Sequence, residues 1–91
     1  MARVFLTHRV RDYAEWRQGY DADAERRSGA GFSEVGHYHS AHDPNEFLIV
    51  WDTELSMEET TAMVAGMLSD PDLGRLMEEA GVLEKPEFWV A

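Results

Sequence analysis

Cysteine is absent from this chain of 91 residues. Its absence excludes disulfide frameworks, thiolate zinc sites and cysteine nucleophiles. No apolar run approaches the ~20 residues that cross a bilayer, and the N-terminus lacks a basic segment followed by an apolar stretch. The expectation is a cytoplasmic protein. Cations are scarce: 8 Lys and Arg stand against 18 Asp and Glu, for a net charge of −10. Residues 1–45 carry 6 basic and 7 acidic groups, while residues 46–91 carry 2 and 11. Such a surface repels phosphate backbones and anionic headgroups, so neither nucleic acid nor membrane is an expected partner. A glycine-rich phosphate loop, a basic aromatic patch and a serine elbow are also missing, which leaves nucleotide-dependent and hydrolase chemistry without support. There are no repeats, linkers or low-complexity segments.

Apolar residues are plentiful by contrast, at 44% of the chain with three Trp. A single domain of this size buries only about 60–65% of its unfolded surface. Part of the apolar surface is therefore expected to meet a partner.

Val4-Phe5-Leu6, continuing through Thr7-His8-Arg9-Val10, reads as a strand, being β-branched and aromatic-rich without breakers. Asp12 opens a helix, with Glu15 at capping-box spacing. Tyr13, Trp16, Tyr20 and Ala24 follow on one helical stripe. This helix is expected to end before Ser28-Gly29-Ala30-Gly31, where glycine can turn left-handed. Phe32 to Ala41 is a second strand, with His42-Asp43-Pro44-Asn45 as its turn. Phe47-Leu48-Ile49-Val50-Trp51 is the third. It is apolar at every position, the mark of a strand buried on both faces.

Ser56 and Glu59 repeat the capping-box spacing and open another helix, with Met63, Val64, Met67 and Leu68 on one stripe. Asp70-Pro71 restarts the chain as a further helix. Its buried face is read as Leu73, Leu76, Met77 and Ala80, and Gly81 ends it. Val82-Leu83 and Phe88-Trp89-Val90 complete an edge strand. The order β-α-β-β-α-α-β is the ferredoxin-like arrangement of the α+β class, with an antiparallel four-stranded sheet. Right-handed crossovers give the spatial order 4-1-3-2, which puts the two most apolar strands at the centre.

Several of these segments resemble a known family. Asp12-Tyr13-x-x-Trp16-Arg17-x-x-Tyr20, the hairpin ending in an apolar strand, and Ser69-x-x-x-Leu73-x-x-x-Met77-x-x-Ala80-Gly81-Val82 are similar to the dimeric α+β-barrel superfamily. Within it, the small antibiotic-biosynthesis-monooxygenase-like and cyclase-like proteins are most similar. The resemblance implies a homodimer whose sheets pack face to face, and a pocket between each sheet and its helices. It further implies metal-free oxidation or cyclisation of aromatic polyketides, or haem degradation. The haem branch is the least similar, since its axial histidine lies on the second helical region and residues 56–81 here contain none.

The topology also gathers chemistry at one pole. The end of the first strand, the start of the first helix and the end of the second strand meet there, bringing together His8, Tyr13, Trp16, Arg17, His37 and His39. His37 and His39 are two apart on a strand and leave the same face. His42 lies in the adjoining turn.

Three readings of these histidines stand side by side. They are strand-end residues with His8 at the core edge, or acid–base groups, or metal ligands. As catalytic residues, His37, His39 and His8 would move protons near neutral pH, as imidazole can. As a metal set, His8, His37, His39 and His42 would offer nitrogen ligands to zinc, copper or nickel. Glu34 is expected on the opposite face, leaving the fourth ligand open.

Tyr13, Trp16 and Tyr20 read first as packing residues, with polar tips able to orient an aromatic ligand. Met67 and Met77, with Met63, read as core or as a deformable pocket lining. Arg17 reads as a partner of Asp12 or Asp21, or as a substrate-carboxylate binder. The function expected is a small-molecule enzyme acting on an aromatic or polyketide-like substrate, monooxygenase- or cyclase-like, with no cofactor. The alternative is a non-catalytic small-molecule or metal-binding dimer, or a dimerisation partner in a biosynthetic assembly.

Overall fold

Alternation along the central strands sets the architecture. In β1 (Ala2–Arg9), Ala2, Val4, Leu6 and His8 are buried while the residues between them are more exposed. A pleated strand sends successive side chains to opposite faces, so one face of the sheet is the core. The computed structural model describes residues 1–91. After β1 come α1 (Tyr13–Ala22), α2 (Ala24–Gly29), β2 (Ser33–His39) and β3 (Glu46–Thr53). The chain closes with α3 (Met57–Ser69), α4 (Pro71–Glu79) and β4 (Glu87–Val90). All pairings are antiparallel, in the order β2-β3-β1-β4. This is the expected α+β ferredoxin-like sheet, with β1 and β3 at its centre.

The helix caps follow the sequence, with one exception. Ser56 and Glu59 form a reciprocal capping box, and Asp70 caps α4 with Pro71 in its first turn. Asp12 caps α1 by accepting from the Ala14 N–H, but Glu15 turns to Arg11 rather than back to Asp12. The Arg11 guanidinium is the stronger partner, being charged. Gly31 and Gly81 both take positive φ, about 90°, where a side chain would be strained.

The helix expected from Asp12 onward is in fact two. It breaks at Asp23, whose carboxylate binds the Arg26 guanidinium three residues on. Short acidic side chains favour such local bonds over helix interior.

The core lies between sheet and helices. Val4, Leu6, Val10, Phe47, Ile49 and Trp51 meet Trp16, Phe32 and Val64 there. Two side chains expected inside stand outside: Leu76 is 56% exposed and Met63 37%. The other face of the sheet carries Phe5, Leu48 and Val50, placed by the β1–β3 register, with Tyr38 and Trp89 beside them. Tyr38 and Trp89 are more than half exposed, and no helix covers them. No helix of the chain is long and apolar enough to cross a membrane.

Candidate functional site

A cavity of about 320 Å³ lies between the sheet and the helices. Leu6, His8, Trp16, Trp51 and Val64 form its buried floor, and Met67, Leu68, Leu73 and Met77 form the wall supplied by α3 and α4. Tyr20 comes from α1, while Arg26, Arg27 and Leu76 mark the solvent-facing rim. Twelve of the 17 lining residues are hydrophobic, which makes this a pocket suited to an apolar body with few polar contacts.

His8 is the polar group on the floor. Its ring is stacked on Phe47, with centroids 5.2 Å apart, and tilted against Trp16 at 5.3 Å. Nδ1 is buried with no hydrogen-bond partner. Thr60 Oγ1 shares that condition but does not line the cavity. Burial, and to a lesser degree nearby His37, depress the His8 pKa to about 4, so the ring is neutral at pH 7. A neutral imidazole offers one donor and one acceptor. Leaving a buried polar atom unpaired costs about 1–3 kcal/mol, which a bound partner would recover.

His37 and His39 sit elsewhere. They project from β2 toward Tyr13 and do not line the cavity. Tyr13 is fixed from two directions: its N–H donates to Asn45 Oδ1 at 2.8 Å, and its ring meets His39 edge-on at 4.4 Å. The Tyr13 hydroxyl lies 3.0 Å from His37 Nε2, and Arg17 donates to the same hydroxyl at 3.2 Å. His37 Nδ1 lies 3.2 Å from Glu34 Oε1. Tyr20 donates to that oxygen at 2.9 Å and accepts from Trp51 Nε1 at 3.0 Å. The Tyr20 hydroxyl is pushed up to about 12, first by burial, and stays protonated. One chain of hydrogen bonds thus runs from Arg17 to Trp51.

This chain corrects the expectation for Glu34. Glu34 pairs with Trp51 and Gly36 with Val50, so Val35 is an extra residue in the strand. A bulge of this kind shifts the alternation by one. Glu34 therefore shares the face of His37 instead of opposing it.

The four histidines do not assemble as a metal set. Strand β3 runs between β1 and β2, and its Phe47 ring is flanked by His8 and His37, nearly parallel to both. His39 Nδ1 is engaged with the Pro44 carbonyl, and His42 is exposed in the turn. No group of three or more His, Asp or Glu side chains is arranged to hold a metal ion.

Of the expected substrate-binding residues, Trp16, Tyr20, Met67 and Met77 line the cavity, and Tyr13 and Arg17 do not. Arg17 pairs with Asp21 at 3.1 Å, and its pKa is raised, first by the Tyr13 hydroxyl. The sequence reading missed Arg27. Its guanidinium lies over the Tyr20 ring, 3.5 Å from the centroid, and donates to the Tyr20 carbonyl at 2.6 Å. The available signal was spacing, since Arg27 falls seven residues after Tyr20 on the stripe of Trp16.

No protein-family model matches the sequence, and no curated protein matches it. Solved structures match the fold along nearly its whole length. A Bordetella bronchiseptica protein provisionally named an antibiotic biosynthesis monooxygenase is 15% identical, with 99% of this chain and 93% of that one covered, at a TM-score of 0.70. A Deinococcus radiodurans protein of the same provisional name is 15% identical, with 100% and 90% covered and a TM-score of 0.61. A NIPSNAP domain protein from Burkholderia xenovorans is also 15% identical, with 100% and 92% covered and a TM-score of 0.64. The chain has the fold of the antibiotic-biosynthesis-monooxygenase-like proteins. Shared architecture at this identity shows the fold and leaves the site and its chemistry to the side chains.

Proposed function

We propose that this protein is a small-molecule enzyme, monooxygenase- or cyclase-like, that takes an aromatic or polyketide-like substrate into the cavity of each subunit of a homodimer. The observation that carries this reading is His8: an unpaired, buried, neutral imidazole on the floor of an otherwise apolar cavity. A phenol or an activated C–H placed against it has an acceptor waiting. Proton transfer would leave an anion beside the imidazolium, and that pairing offsets the burial that otherwise disfavours the charged ring. Dioxygen adding at the activated carbon would then lose water, so that one oxygen enters, two substrate hydrogens leave and the substrate's own electrons reduce the second oxygen. Ring closure onto a substrate carbonyl would instead expel water. No metal enters this reading. The Tyr20–Trp51 bond holds one wall of the cavity, and the methionines let the other adapt.

The homodimer reading is supported by the face of the sheet that the helices leave bare, with Phe5, Leu48, Val50, Tyr38 and Trp89 on it. A second copy would cover it, and light scattering would then report about twice the 10.4 kDa of the chain.

The test uses a fused-ring phenol in air, wild type and His8→Phe, with mass spectrometry of the product. Gain of one oxygen with loss of two hydrogens in wild type, the second atom of dioxygen leaving as water, is expected, and its absence in a folded His8→Phe variant. Full turnover in that variant contradicts the role of His8. Saturable binding without any product favours a non-catalytic binder.

A further inference from the structure

Two of the eight cationic side chains in this strongly acidic chain stand at one place, the rim of the cavity. Arg26 is neutralised there. Asp23 holds it through both carboxylate oxygens, and Asp70 adds to the same field. Arg27 has no such partner. The ion pairs of the chain engage Arg3, Arg11, Arg17, Arg26 and Arg75, and not Arg27. Only one of its N–H groups is committed, to the Tyr20 carbonyl. The Tyr20 ring beneath holds the guanidinium in place, so little further ordering is needed to use the remaining donors.

Resting on the cavity being a small-molecule site, we propose that its ligand is an anionic amphiphile. An apolar, ring-containing body fills the cavity, a hydroxyl reaches His8 on the floor, and a carboxylate or comparably compact anion pairs with Arg27 at the rim. The chemistry of each part is matched by what surrounds it. The floor and walls offer no second free cation, so the charged end belongs at the opening. A guanidinium receives a planar carboxylate through two parallel hydrogen bonds, which gives orientation as well as attraction. In a chain of net charge −10, the one unpaired cation at this rim also decides which end of an incoming molecule enters last.

Titration calorimetry with four probes tests this: 6-hydroxy-2-naphthoate, its methyl ester, 2-naphthoate and 2-naphthol. The hydroxy acid is expected to bind about ten-fold more tightly than its ester, as a desolvated charged pair allows. Arg27→Gln should remove that preference by weakening the acid far more than the ester, and Arg26→Gln should alter it little. Arg27→Met, which keeps the aliphatic packing on Tyr20, should behave like Arg27→Gln if both remain folded by circular dichroism. Added salt should weaken the acid and spare the ester. Equal binding of acid and ester to wild type would overturn the anionic ligand and leave the cavity site standing. No saturable binding of any of the four would overturn both.

Discussion

Two clusters flank Phe47, each holding a histidine stacked on its ring, and they differ in whether the polar atoms find partners. On the β2 side, Tyr13, Arg17, His37 and Glu34 hold one another, so that the hydroxyl of Tyr13 and both ring nitrogens of His37 have partners. On the cavity side, His8 lies against Trp16 and Phe47 with Nδ1 unpaired. Satisfied polar networks fix a fold, whereas a buried polar group left unsatisfied calls for an explanation, and this one belongs to a residue that lines the cavity. The contrast distinguishes an internally satisfied network from the proposed binding site more firmly than residue type does.

Trp16 belongs to both clusters, so Trp16→Ala should have the largest effect. Loss of about 3–5 kcal/mol is expected by denaturant unfolding, the range for deleting a buried indole. A loss under about 1 kcal/mol would mean that the two sides do not share this wall.

The next effect is in pH. The folded His8 pKa of about 4 lies below its ordinary 6.5. Between these values the unfolded chain binds the extra proton, so stability falls as pH drops from about 6.5 to about 4 and is unaffected by His8 above that window. The loss attributable to His8 is about 3 kcal/mol. His8→Phe should flatten this part of the profile and match or exceed wild-type stability at pH 7. An unchanged acid limb in the variant would remove the contrast between the two histidines.

Smaller changes sharpen the other half. Tyr13→Phe should cost about 1 kcal/mol, the usual value for a hydrogen-bonded hydroxyl, and should not alter ligand affinity. A ten-fold loss of 2-naphthol binding in that variant would place Tyr13 inside the site. On the bare sheet face, Asp52→Asn breaks the exposed ion pair with Arg3 and should have the smallest effect on denaturant unfolding, smaller still at high salt.

Fold and site were not equally legible. The strand order followed from β-α-β-β-α-α-β and chirality, because each link is local or obeys a general rule. The caps at Asp12, Ser56 and Asp70 were legible because a cap is decided within four residues. The break at Asp23 was not, since it depends on a bond to Arg26 that competes with the helix. Glu34 was misplaced because a bulge leaves no periodic trace: Val35 reads as an ordinary strand residue. The histidines were gathered at the correct pole, but sequence could not show that Phe47 would stand between His8 and His37. Arg27 escaped notice because its significance lies in lacking a carboxylate partner, a property of the whole surface.

The most direct test of the site is ¹⁵N NMR of the four histidine side chains while 6-hydroxy-2-naphthoate is added at pH 7. The His8 ring should report a neutral imidazole before addition and should shift in a saturable manner, with the His37 and His39 resonances nearly unmoved. A response confined to His37 or His39, with His8 silent, would contradict the assignment of the cavity floor as the place where chemistry begins.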